Sequence, residues 1–226
     1  MKHSLLFAAL MFASTAWAEQ NTVRIGYTSV APNSSASAIS GPLTPANSLS
    51  LEVKNQNTLF FSYARSFTDN IDVELALGVP PTHDVAIKII NPSLPASVQA
   101  YDGKVGAKVR QVAPTLFVNY KFFSKESQFR PFIGAGINYT KFDKTESTAD
   151  GNAINGGPTN IALKDSVGLA FQAGLGYQIN DNWSIVGSVA TARVKTQLTT
   201  NTLGVVRTAD IKFRPTVLTL SVGYSF

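Results

Sequence analysis

Along most of this chain, apolar and polar residues alternate with a period of two. Val167, Leu169, Phe171, Ala173, Leu175, Tyr177 and Ile179 alternate with Gly168, Ala170, Gln172, Gly174, Gly176 and Gln178. In an extended strand this sets a continuous apolar row on one face and small or polar groups on the other, whereas a helix would mix the two sets. The C-terminus repeats the rhythm, with Leu218, Leu220, Val222, Tyr224 and Phe226 against Val217, Thr219, Ser221, Gly223 and Ser225. So do Ile71 to Gly78, Pro114 to Phe122 and Ile133 to Thr140. Shorter runs at Val23 to Tyr27, Leu59 to Tyr63 and Trp183 to Val189 complete eight predicted strands. Ile211 and Phe213 fall out of phase with Leu218 onward, which predicts a bulge at Pro215.

The connections alternate in length. Ser66 to Asp69, Ser124 to Gln128 and Asn180 to Asn182 are short turns. Ala31 to Asn57, Pro80 to Arg110, Asp143 to Lys164 and Lys195 to Ala209 are long and polar. That layout predicts an all-β fold, an eight-stranded antiparallel transmembrane β-barrel with short periplasmic turns and long extracellular loops. Hydrocarbon offers backbone groups no partner, so a sheet that crosses it must close on itself. Tyr27, Tyr63, Tyr120, Tyr139, Tyr177, Trp183 and Tyr224 lie mostly near strand ends, as interfacial girdles require. A soluble β-sandwich also alternates, but it would leave the small, Gly-rich row without a reason.

The N-terminus reads as a secretory signal. Lys2 precedes the apolar run Leu5 to Ala13, and Ala16-Trp17-Ala18 is a small-residue cleavage site. The run is too short for the roughly 20 residues of a spanning helix. Residues 1–18 are therefore assigned to a signal peptide and 19–226 to the barrel. A last strand that ends on an aromatic residue, Phe226, resembles the signal read by the barrel-assembly machinery.

Composition narrows the function classes. The chain has 226 residues, 44% hydrophobic, 15% charged and no cysteine, which excludes a disordered chain, a disulfide scaffold and a thiolate metal site. The net charge of +5 is too dilute to suggest nucleic acid. The chain has two histidines, His3 and His83, and since His3 leaves with the signal any Ser–His or His–metal scheme must use His83. His83 beside Asp84 reads as a loop histidine, although some eight-stranded barrels are lipid-modifying enzymes. No enzymatic activity and no cofactor is expected.

Several blocks carry a family resemblance. Thr68-Asp69-Asn70-Ile71, Val73-Glu74-Leu75, Phe129-Arg130-Pro131-Phe132-Ile133-Gly134-Ala135-Gly136-Ile137-Asn138-Tyr139-Thr140, Lys164-Asp165-Ser166 and Asn182-Trp183 resemble the OmpW family of small outer-membrane proteins, which includes the AlkL alkane-uptake proteins. The resemblance implies a barrel with a narrow, largely hydrophobic lumen that admits small apolar molecules and releases them sideways into the membrane. Where relatives carry a bulky Leu on the third strand and Trp on the seventh, this chain has Ala76 and Ala190. A less constricted lumen at that level is expected.

Strand count by itself excludes a wide pore. With the apolar rows in lipid, the inward set includes Phe60, Ala64, Ala76, Phe117, Phe132, Ala170, Val186, Ala190 and Ala192 beside Glu74, Asn119, Lys121, Gln172 and Gln178. A mixed lining suits a small hydrophobic solute, and the phenylalanines could equally pack as a plug. Asp72 and Glu74 are expected to pair with Lys121 or Arg24 across the lumen. Pro80 and Pro81 end the third strand and Pro114 opens the fourth. None of them can donate to a ladder, so a lateral exit is expected between these neighbours. Two function classes follow: a passive channel for small hydrophobic molecules, and a structural or adhesive barrel whose loops bind partners. Outer-membrane lipid is the expected surroundings and a monomer the expected state.

Overall fold

The computed structural model describes residues 20–226, so the expected signal peptide lies outside the described residues. In chain order the strands are β1 (Asn21–Ala31), β2 (Ser34–Ala36), β3 (Leu49–Val53), β4 (Gln56–Ser66), β5 (Ile71–Gly78), β6 (Thr82–Ile89), β7 (Val105–Val112) and β8 (Thr115–Lys121). They continue as β9 (Phe129–Ser147), β10 (Thr159–Leu163), β11 (Ser166–Gln178), β12 (Trp183–Ala192), β13 (Val194–Thr202), β14 (Val205–Phe213) and β15 (Thr216–Ser225). Two short helices, α1 (Ala96–Gln99) and α2 (Ala149–Asn155), lie in the upper connections.

Eight strands close a ring in the order β1, β4, β5, β8, β9, β11, β12, β15 and back to β1, every neighbour antiparallel. Closure leaves no edge in the hydrocarbon. The seam pairs Thr22 with Ser225 through to Ala31 with Thr216, and Asn21 and Phe226 exchange backbone bonds of 3.0 and 2.9 Å. Both described chain ends thus sit at the short-turn, periplasmic rim. The apolar rows face outward, as their exposure shows: Ile25 is 57% exposed, Leu220 64% and Val167 70%. Near the periplasmic rim, Trp183 packs on Tyr224 with ring centroids 5.0 Å apart and Phe129 on Tyr177 at 5.0 Å.

The four long connections carry strands of their own between irregular stretches. β9 runs for 19 residues, about twice what a membrane crossing requires. Its upper part pairs with β7, Ala107 opposite Ser147, and β6 and β3 extend that sheet. A second sheet, in the order β10, β13, β14, β2, stands beside it. The barrel wall therefore continues above the membrane as two sheets. Polar composition concealed this because outside the bilayer the outward face is wetted, so polar residues point out and apolar ones in. Ile211 is 3% exposed and packs with Leu198 and Ala209. The same inversion corrects the expected bulge at Pro215. Ile211, Phe213, Pro215 and Val217 share one inward face, and the row changes phase because lipid gives way to water, not because a residue is inserted.

Candidate functional site

The lumen has an ion-paired floor. Asp72 and Glu74 on β5 point inward beside Asn119 and Lys121 on β8, a placement that the period-two geometry of two adjacent strands dictates. Arg24 Nη1 donates to Glu74 Oε1 at 2.8 Å and Lys121 Nζ meets Asp72 Oδ2 at 2.7 Å. Asn119 Nδ2 donates to Asp72 at 2.8 Å and to Glu74 at 3.0 Å, while Gln172 Nε2 donates to Glu74 at 3.0 Å and to Asn119 Oδ1 at 2.7 Å. Asp72 and Glu74 are 0% and 2% exposed. Gly134 makes room for the network, since a methyl group there would collide with Asn119 Oδ1. The expected ion pairs across the lumen are thus present, and they close the axis toward the periplasm.

A chamber of about 160 Å³ lies above this floor. Phe60, Ala76, Phe117, Ala170, Ala190 and Ala192 line it, together with Thr28, Val30, Thr115 and Gln172. Phe132, Val186 and Ala64 are inward and buried but do not line it. Phe132 sits lower, opposite Lys121 in the ladder, with its ring over Gly174. A cavity of this size and apolar character holds a molecule of roughly benzene dimensions.

The chamber reaches the wall between β5 and β8. Their ladder runs from Ile71–Tyr120 to Ala76–Thr115 and stops. The next bond between these two walls is Gln111 N to Pro81 O at 3.1 Å. Between them Leu77, Gly78, Val79 and Pro80 face Val112, Ala113 and Pro114 with no ladder pair. Pro80, Pro81 and Pro114 lack the N–H that would close the gap. Leu77, 41% exposed and part of the lipid-facing row, also lines the chamber, as do Gly78, Pro80, Pro81 and Ala113.

A second chamber of about 80 Å³ sits above, between the two upper sheets, and shares Pro32, Gln111 and Phe213 with the first. Its lining is largely apolar: Leu49, Leu51, Val85, Ile87, Val109, Leu198 and Ile211 among others. His83, 3% exposed, is in this lining rather than in a solvated loop. Its Nδ1 lies 2.9 Å from the Lys54 carbonyl, which can only accept, so Nδ1 carries the proton. Burial pushes the His83 pKa below its ordinary value, while that carbonyl and Asp84 act in the opposite sense. No group of three or more His, Cys, Asp or Glu suited to a metal occurs among the described residues. The sequence reading missed this upper chamber entirely. The one available signal was inverted alternation, Val85 and Ile87 inward against Asp84 and Lys88 outward.

Comparison with known proteins agrees with this architecture. The OmpW family model matches residues 19–226. Outer membrane protein W of Vibrio cholerae is 32% identical over 204 residues, covering 90% of this chain and 87% of that protein. The crystal structure of the outer membrane protein OprG from Pseudomonas aeruginosa superposes with a TM-score of 0.80 at 26% identity, covering 92% of this chain and 95% of the other. A dibenzothiophene metabolism operon protein, PahQ of Pseudomonas aeruginosa, is 32% identical over 141 residues, covering 61% and 60%. A closed eight-stranded ring with its apolar rows in lipid, matched over its whole described length, makes this chain an outer-membrane β-barrel of the OmpW family.

Proposed function

We propose that this barrel is a passive route by which small hydrophobic molecules enter the outer membrane from outside. A solute enters the upper chamber, passes the level of Pro32, Gln111 and Phe213, and occupies the lower chamber. It then leaves sideways between β5 and β8 into lipid. The observation that carries this reading is the pairing of a sealed floor with a break in the wall directly above it. The floor offers an apolar solute only buried charge, while the wall offers Leu77 and hydrocarbon beyond. Each Å² of solute surface taken from water contributes roughly 25 cal/mol, so transfer along this path runs downhill without an energy source. The small Ala76 and Ala190 leave room in the lower chamber for a small aromatic molecule, and the name of the PahQ relative, a dibenzothiophene metabolism operon protein, makes aromatic compounds the class to test. In this reading Phe226 is the handle for the assembly machinery, and the closed ring works as a monomer.

The test is uptake of naphthalene into proteoliposomes loaded with a fluorescent hydrophobic trap. The chain has no cysteine, so a pair placed at Gly78→Cys and Ala113→Cys is unique. Bridging the pair with a short bis-maleimide should abolish uptake, while the unbridged pair keeps it. Full uptake after bridging would refute the lateral exit, and no uptake by the unmodified barrel would leave the upper sheets as a partner-binding surface.

A further inference from the structure

Two antiparallel stretches of the outer wall carry an ordered sequence of outward-facing pairs. On β12–β13 and β14–β15 these run Ile185 with Val222, Gly187 with Leu220 and Val189 with Leu218, all facing lipid. One step higher Thr191 and Thr216 occupy matching positions, then Arg193 and Arg214, and then Lys195 directly opposite Lys212. All four cations are exposed. None takes part in an ion pair with a described residue. The nearby carboxylates are engaged elsewhere: Asp165 accepts from Tyr139 Oη at 2.6 Å, and Asp210 faces the Gln197 amide.

Like charges directly opposite each other on a sheet repel. Facing pairs lie about 5 Å apart and successive outward positions about 7 Å apart along a strand, so four positive heads crowd into a patch little wider than one lipid headgroup. The patch also sits at the edge of the lipid belt. Arg193 N bonds to Leu169 O at 2.9 Å and Lys195 N to Ser166 Oγ at 3.0 Å, which brings both cations alongside Leu169 and Val167, 53% and 70% exposed. Their heads are thus at the height where hydrocarbon ends and headgroup phosphates begin, on the extracellular side.

We propose that Arg193, Lys195, Lys212 and Arg214 form a binding site for the phosphorylated glycolipid headgroup of the outer leaflet. Arginine forks suit phosphate oxygens and the lysines act as point charges. A bound phosphate relieves the repulsion and fixes which wall of the barrel contacts that lipid. The site lies on β12 to β15, away from the break between β5 and β8, and does not depend on the transport reading.

The test uses the folded barrel in detergent micelles, with bis-phosphorylated lipid A titrated in and the bound species counted by native mass spectrometry. Each cation at an anionic lipid surface is worth about fivefold in affinity. The fourfold variant Arg193→Gln, Lys195→Gln, Lys212→Gln, Arg214→Gln should therefore weaken binding about 600-fold, and the two arginines alone about 25-fold. A control with the same charge loss, Lys54→Gln, Lys88→Gln, Lys104→Gln, Lys108→Gln, should stay near wild type, as should binding of zwitterionic phosphatidylethanolamine to either variant. Inorganic phosphate at millimolar concentration should not displace the lipid. The two-residue variant Arg193→Gln, Arg214→Gln, checked for heat-resistant electrophoretic mobility, gives an intermediate loss if the fourfold variant folds poorly. Unchanged lipid A affinity in the two-residue variant, an equal loss in the control, or equal affinity for dephosphorylated lipid A would overturn the site.

Discussion

Removing the carboxylate at the centre of the floor should cost more than any surface change in this protein. Glu74→Leu leaves the Arg24 guanidinium, 8% exposed, without its 2.8 Å partner, and strips an acceptor from the amides of Asn119 and Gln172. An uncompensated buried charge costs about 3–5 kcal/mol, and each orphaned amide donor about 1–3 kcal/mol where water cannot replace the lost acceptor. Relaxation of the long Arg24 side chain toward the periplasmic rim reduces that sum, so a loss of about 3 kcal/mol is expected. Arg24→Leu in the same background removes the stranded charge and should restore about 2 kcal/mol, and the Arg24→Leu single variant completes the double-mutant cycle that yields the coupling. Urea unfolding in micelles, followed by tryptophan fluorescence, measures all four corners. A single-variant loss under about 1 kcal/mol, or a double variant no more stable than Glu74→Leu, would refute the account of the floor as a mutually dependent, water-poor network. The Glu74→Leu barrel should also show raised ion conductance in a planar bilayer, because the axial seal is the same set of side chains.

Other outcomes follow from the same geometry. Ala190→Trp places an indole in the lower chamber of about 160 Å³ and should bring naphthalene uptake down toward the protein-free level with little change in stability; unchanged uptake would remove this level from the route. Gly134→Ala drives a methyl group into Asn119 Oδ1 and should cost about 1–3 kcal/mol by overpacking, again read by urea unfolding. His83 is held neutral by burial, so the unfolded chain takes up a proton that the folded one resists as pH falls below 6.5. Stability of the upper sheets, measured by hydrogen exchange at Val85 and Val109, should fall from that pH downward until the folded form is also protonated, then level off. His83→Leu should flatten that window, and a persistent slope would assign it to another group.

Much of the membrane-embedded part was legible from the residue order alone. Within hydrocarbon the physical demand is uniform: every outward position must be apolar and every backbone group paired, so the rows at Val167–Ile179 and Leu218–Phe226 declare both strand and facing without tertiary information. The floor was legible for the same reason, because Asp72 and Glu74 fall on the inward phase with Arg24 and Lys121 on neighbouring inward positions to neutralise them. Above the bilayer that uniform demand lapses. Polar stretches such as Lys195 to Ala209 satisfy either a solvated loop or a wetted strand, and only packing against a facing sheet selects the strand. His83 shows the same limit, since it shares the inward phase of Val85 and Ile87 but is buried only because β3 and β7 pair on either side of β6 and close the upper sheet. The break between β5 and β8 belongs to both levels: Pro80, Pro81 and Pro114 mark missing donors in the sequence, but that they face one another across a stretch without ladder pairs beside the chamber is a consequence of register, which the closed barrel alone decided.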